Sequence, residues 1–284
     1  MFTNFYDLFN KLYLLLILLL FILLPGRLFA GGDSFSLGAR SAAMGRTSVA
    51  MGGFWGLTNN QSAISLAQQY QVGIHYESRL GLNELSTKAI GVISPLPRNI
   101  GVMGISFIHF GYSSYNEMKL GLAYARSFAP FFRLGIQLDY LRINIGDNYG
   151  SKDIFTFEVG MQSDIGERIT IGVYTFNPIG IKISEDHGEK LASVFRLGLL
   201  YKIENYLLIS LEAEKRTSIN PVVVRLGMEY DLKSKFYFRT GIASRYEVFT
   251  LGFGMKLKFI KIDLAAGMHQ ILGFSPQMSM TVNF

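Results

Sequence analysis

The residues best equipped for chemistry are four histidines, His75, His109, His187 and His269, and they lie far apart in the chain. None stands in a His-Glu-x-x-His run or another spacing that would bring two imidazoles onto one metal ion. His187 sits among Glu185, Asp186 and Glu189, a set of oxygens that suits a cation. Lys182 and Lys190 neutralise that set, and a solvated loop is the plainer reading. His269 would need a serine nucleophile to do hydrolysis, and no nucleophile motif accompanies it. Gly252-Phe253-Gly254 is followed by no helix, so it is not a dinucleotide loop. The absence of cysteine removes thiol catalysis, thiolate metal sites and disulfides. The chain reads as a non-enzyme without cofactor or metal.

A second set of charged residues has a regular placement. Arg133, Asp139, Arg196, Glu212, Glu214, Arg225, Glu229, Arg239 and Asp263 fall on the polar side of alternating segments. Such charges form a belt of ion pairs across strands, which would hold an internal segment or line a polar path; structural pairing is the favoured role. The net charge of +6 is spread along the chain in runs of no more than two or three. That pattern suits lumen and loop charge and excludes a nucleic-acid patch.

The elements that must carry these charges are β-strands. Phe132, Leu134, Ile136, Leu138 and Tyr140 alternate with Arg133, Gly135, Gln137 and Asp139. Pleating puts residues i and i+2 on one side, so one face suits lipid and the other water. Leu120 to Phe128, Phe195 to Tyr201, Val222 to Tyr230 and Ile262 to Met268 repeat the pattern, with the charges on one face. A Lys or Arg on the lipid face at mid-bilayer would cost about 2–4 kcal/mol. Counting along the chain gives about fourteen strands: 71–79, 85–95, 100–110, 118–128, 132–145, 153–165, 168–176, 193–202, 206–215, 221–231, 236–244, 248–257, 260–269 and 275–284. The expected fold is all-β, a transmembrane antiparallel up-and-down barrel. Alternate connections are tight, as at Ala129-Pro130-Phe131 and Gly166-Glu167; the others include longer stretches at 111–117, 146–152 and 177–192. Short turns on one rim and longer loops on the other predict periplasmic N- and C-termini in an outer membrane. Tyr112, Tyr140, Tyr174, Phe176, Tyr201, Tyr230 and Phe236 are candidates for interfacial girdles. The final segment alternates to a terminal Phe284, which resembles the insertion signal of outer-membrane barrels.

At the other end, Lys11 precedes the apolar run Leu12 to Leu24, broken by Pro25-Gly26-Arg27, with Ala30 before Gly31-Gly32. This reads as a signal peptide over residues 1–30. Residues 31–70 do not alternate and are rich in small side chains. Eight-stranded barrels are filled by their own side chains, whereas sixteen to eighteen strands leave a channel. Fourteen strands should leave a lumen to be filled, so residues 31–70 are expected to form a plug and residues 71–284 the barrel. Gly101, Gly104 and Gly121 are candidate kinks for a lateral exit.

Gly38-Ala39-Arg40-Ser41-Ala42-Ala43-Met44-Gly45, followed by Val49-Ala50 and Phe54-Trp55, resembles the opening of the PorV/PorQ proteins within the FadL-like outer-membrane barrels. Where those relatives carry Asn-Pro-Ala, this chain has Asn60-Gln61-Ser62-Ala63. The resemblance covers about residues 37–67 and points to Arg40, Met44, Gly45, Gly52, Gly53, Trp55 and Asn60 as plug or gating residues. It implies one of two functions, between which the sequence does not choose. One is passive transport of hydrophobic small molecules past an N-terminal hatch. The other is a non-catalytic accessory or scaffold role with proteins of the type IX secretion system. The expected partners are outer-membrane lipid and either a hydrophobic small molecule or secretion-system proteins, with no nucleic acid.

Overall fold

A computed structural model describes residues 36–146, 150–182, 190–245, 247–269 and 273–284. The expected signal peptide over residues 1–30, residues 31–35 and the cluster around His187 lie outside the described residues.

Fourteen strands form one closed antiparallel barrel in which each pairs with its sequence neighbours and the last returns to the first. They are β1 (Gln71–Ser78), β2 (Ser86–Pro95), β3 (Val102–Tyr112), β4 (Tyr115–Ala129), β5 (Phe132–Ile145), β6 (Gly150–Ile165), β7 (Ile169–Phe176), β8 (Val194–Ile203), β9 (Leu207–Arg216), β10 (Ile219–Leu232), β11 (Phe236–Ala243), β12 (Glu247–Lys256), β13 (Ile260–His269) and β14 (Gly273–Asn283). Closure is made by β1 on β14, from Gln71 opposite Asn283 to Glu77 opposite Gln277. Closing the sheet pairs every backbone edge, as a strand surrounded by hydrocarbon requires.

Burial along the strands is the reverse of a water-soluble sheet. In β5, Arg133, Gln137 and Asp139 are buried while Ile136 and Leu138 are exposed, Leu138 at 63 %. The polar face therefore looks into the lumen and the apolar face outward, as the alternation predicts. Beyond Tyr140 the chemistry inverts while the pleat continues: Leu141 and Ile143 point inward and Arg142 is exposed. That switch marks one edge of the outer apolar band.

Three expectations are corrected. The stretch 111–117 is not a long loop, because Tyr112 pairs with Tyr115 and only Ser113-Ser114 turn the chain. Likewise β6 starts at Gly150 rather than 153. Asn116, Glu117 and Ser151-Lys152 are polar on both faces and read as loop, but backbone pairing continues past the apolar band. Long connections are confined to 79–85 and 177–193, so the contrast between rims is narrower than expected. Finally, Tyr174 and Phe176 are no girdle residues: each is 1 % exposed and faces the lumen with Gly172. Tyr112, Tyr230 and Phe236 are exposed on the outside.

Residues 36–64 run inside the closed barrel, and the chain emerges from Leu66 to Tyr70. They form α1 (Ala39–Ala43), α2 (Gly56–Asn59) and a 3₁₀ turn (Gln61–Leu66). α1 packs on β12, β13 and β14, and the 3₁₀ turn packs on β4, β5 and β6 across the lumen. Ala39, Ala43, Met44, Val49 and Leu57 are completely buried.

Candidate functional site

The N-terminal segment is fastened to the wall along its whole course. The Ala39 N–H donates to Ser279 Oγ (3.1 Å) and the Gly45 N–H to Thr250 Oγ1 (2.9 Å). Thr250 Oγ1 in turn donates to the Ala43 carbonyl. The N–H groups of Ser48 and Val49 both donate to Glu212 Oε2, at 2.7 and 2.8 Å. Gln162 Nε2 donates to the carbonyls of Val49 and Met51. Asn60 donates to the Val49 carbonyl (2.6 Å) and, at longer range, to the wall carbonyls of Met161 and Val173. Gln61 donates to Glu158. Irregular backbone buried inside a barrel needs such partners, because no water replaces them.

Two arginines of the segment complete the fastening. Arg40 forks onto Glu229 of β10, with Nε and Nη2 each 2.7 Å from a carboxylate oxygen, and Nη1 donates to the Gly52 carbonyl. Burial works against its charge, but Glu229 more than offsets this and holds the Arg40 pKa above its ordinary value. Arg46 Nη2 lies 2.6 Å from Glu77 Oε1 on β1. Glu77 also accepts from Arg79, and His75 stands 4.0 Å away with its ring against Trp55.

The lumen charges occur as separate clusters rather than one continuous belt. On β8 to β10, Arg196, Arg216 and Arg225 surround Glu214, with Glu212 3.4 Å from Arg225. On β10 to β13, Arg239 joins Glu229 (2.5 Å) to Asp263 (2.8 Å), and Arg40 enters from the segment. Asp139 belongs to a third group with Lys119 and Glu158. Arg133 stands apart and pairs with Asp164. The sequence reading missed Lys119, Glu158, Glu77, Arg216 and Arg46. The pleat held the signal for Glu158, which shares its face with Thr156 and Gly160. Arg46 had no such signal, since its segment does not alternate.

The opposite side of the lumen is apolar. Leu37, Phe54, Trp55, Leu57 and Ile64 of the segment pack on Ala89, Ile93, Val102, Ala123 and Ala125 of β2 to β4. A second apolar cluster joins Val49 to Leu141, Ile143, Ile154, Tyr174, Phe176, Leu191 and Val194, beside the inverted end of β5. Met44 packs separately with Ala50, Met51 and Leu200.

The wall makes room for this segment with glycine. A Cβ built on Gly252 would lie 2.3 Å from Ala43 Cβ, on Gly241 2.1 Å from Gly45 N, and on Gly227 2.5 Å from the Met44 carbonyl. The series continues at Gly198 and Gly172 against Val49, then at Gly160 against Asn60 and Gly135 against Gln61. It ends at Gly104 and Gly91 against Leu57 and at Gly73 against Phe54. The segment thus runs round the inside of the barrel against an inward glycine on ten of the fourteen strands. This gives Gly104 a role in clearance for Leu57 instead of the expected kink. Gly121 clears Gln137 and Ser106, and Gly101 is a turn residue at φ +146°.

The candidate residues carried by the resemblance fall into two groups. Arg40, Met44, Gly45, Trp55 and Asn60 are packed into the wall contacts just described. Gly45, at φ +66°, fits where a side chain would strike the Ile242 carbonyl. Gly52 and Gly53 are exposed, and a Cβ on Gly52 would have no neighbour within 4 Å.

No family model and no curated protein matches the chain. Its fold is that of FadL-like outer-membrane channels. The CymD monoaromatic hydrocarbon channel aligns with TM-score 0.65 and 11% identity, covering 89% of this chain and 99% of that one. The P. putida toluene transporter TodX aligns with TM-score 0.62 and 12% identity over 89% and 99%. A Pseudomonas aeruginosa FadL homologue aligns with TM-score 0.60 and 9% identity over 90% and 98%. At these identities the likeness defines the fold.

Proposed function

We propose that the chain is an outer-membrane barrel that passes hydrophobic small molecules passively, without catalysis. Residues 1–30 are a signal peptide removed on export, residues 31–70 are the plug, and both termini face the periplasm. The observation that carries the reading is the position of the N-terminal segment. It bridges two apolar clusters inside a closed barrel, with Val49 in one and Phe54 and Leu57 in the other. Solved barrels of this shape include a monoaromatic hydrocarbon channel and a toluene transporter, which supports the same substrate class here.

In this scheme a ligand reaches the cluster of Leu141, Ile143, Ile154 and Phe176 from the outer rim. It displaces Val49 and passes toward the apolar side lined by β2 to β4. The segment need not leave as a whole. Met51 to Gly53 connects the two clusters, and the loosely packed Gly52 and Gly53 let it bend without breaking the Arg40 or Arg46 pairs. Regions with few buried contacts open at the least cost. The test is uptake of 1-N-phenylnaphthylamine by Gram-negative cells with an intact outer membrane. Expression of the full chain should accelerate fluorescence onset several-fold, and an unchanged rate would reject transport.

A second reading is an accessory or scaffold of the type IX secretion system, with the PorV/PorQ resemblance behind it. The ionic fastening of the segment at Glu229 and Glu77 favours a barrel that stays closed. Loss of surface-protein export on gene deletion, with hydrophobic uptake unaffected, would select this reading.

A further inference from the structure

We propose that the cavity at the rim of β11 to β14, beside the turn from β12 to β13, is a binding site for a small organic anion, a ring or short chain ending in a carboxylate or a similarly charged group. The cavity measures about 230 Å³ and lies between the N-terminal segment and the connection from β12 to β13. Its apolar wall includes Met51, Phe54, Trp55 and Phe259, and its cations are Arg40, Lys256, Lys258 and Lys261. A dry apolar cavity of about 150 Å³ accommodates benzene. This one therefore has room for a ring of that size with a polar substituent.

The cations are not equally engaged. Arg40 is committed to Glu229 and to the Gly52 carbonyl. Lys261 lies 4.0 Å from Asp263, which is itself held by Arg239 at 2.8 Å. Lys256 and Lys258 have no carboxylate partner among the described residues. Both are exposed at the mouth, and Lys258 rests its ammonium over the Phe259 ring, 4.9 Å from the centroid. Lys233 and Lys235 on the neighbouring turn add to the positive field, and Asp231 is the acidic residue beside them. At the wall, the Trp55 ring contributes apolar surface and is nine-tenths buried. An apolar wall with a cationic mouth selects an amphipathic anion: a neutral hydrophobe uses only the wall, and an inorganic anion only the mouth. The anionic group can come from a free organic acid or from the headgroup of an acidic lipid. The site does not depend on whether the barrel conducts.

Trp55 is the only tryptophan of the chain, so its fluorescence reports on this cavity directly. The test places the full chain in phosphatidylcholine nanodiscs and titrates 4-bromobenzoate, 4-bromobenzyl alcohol and 4-bromobenzylamine, whose bromine quenches indole on contact. Saturable quenching by the acid, with at least tenfold weaker response to the alcohol and amine, is expected. Lys256→Gln with Lys258→Gln should weaken the acid at least fivefold and leave the alcohol unchanged; both positions are exposed, and heat-modifiable migration checks that the barrel still folds. Equal quenching by all three compounds, quenching that does not saturate, or an acid response indifferent to the two substitutions would overturn the proposal. Repeating the titration in phosphatidylglycerol nanodiscs separates the sources. A large rightward shift assigns the site to a lipid headgroup, and an unshifted curve assigns it to a free acid.

Discussion

Arg40 on the N-terminal segment and Glu229 on β10 share a two-pronged contact, both arms at 2.7 Å, and Glu229 is held from its other side by Arg239 at 2.5 Å. The wall thus prepares its carboxylate for the segment. Removing one partner of a buried pair costs far more than the pair contributes, because the other charge is left stranded. Arg40→Ala should weaken the anchorage of the segment by about 3 kcal/mol, the low end of the range for broken buried pairs since Arg40 is one-fifth exposed. Limited proteolysis within residues 36–70 should accelerate while the barrel itself stays resistant. Glu229→Gln should loosen the segment comparably, because it leaves the Arg40 charge unpaired and turns an amide NH2 toward an arginine N–H that had a carboxylate oxygen as its acceptor.

The inward glycines make a second prediction. Gly241 opposes Gly227 in the ladder, and both lie against Met44 and Gly45. Gly241→Val leaves the lipid face untouched but places methyl groups where the segment backbone passes. Overpacking costs about 1–3 kcal/mol when the surroundings adjust. The expected outcome is a barrel that still shows heat-modifiable migration, with a segment newly open to protease. Unchanged protection of the segment would show that the glycine contacts do not hold its path.

A third concerns the outer face. Leu138 lies at the middle of the apolar run of β5, and Asn144 lies beyond the point where its chemistry inverts. Leu138→Arg should destabilise the bilayer-inserted barrel by about 2–4 kcal/mol and Asn144→Arg by about 0–1 kcal/mol. Unfolding titrations from phospholipid vesicles would measure both. Equal costs would remove the basis for a membrane-spanning band.

Much of this was legible in the sequence, for a physical reason. A lipid-facing strand must alternate, so Leu138 and Asp139 reveal their faces without any tertiary knowledge, and so do the other strands from β1 to β14. What failed was whatever alternation does not encode. Asn116 and Glu117 read as loop because polar residues on both faces give no period, although backbone pairing continues through them. Tyr174 and Phe176 read as interfacial aromatics because ring chemistry looks the same on either face; only their parity with Gly172 sets them inside. The course of residues 36–70 had no local signal, since it is fixed by contacts with distant strands. Its trace in the sequence is on the wall: Gly172 opposite Gly198, and Gly227 opposite Gly241, small residues facing inward where the segment runs.

In the proposed function, the N-terminal segment closes a barrel that would otherwise conduct. Single-channel recording in planar bilayers, comparing the full chain with one lacking residues 36–68, tests it most directly. The full chain should pass little ion current, and the truncated chain should show a stable, large conductance through its charged lumen. A truncated barrel that inserts and folds but remains closed would contradict it.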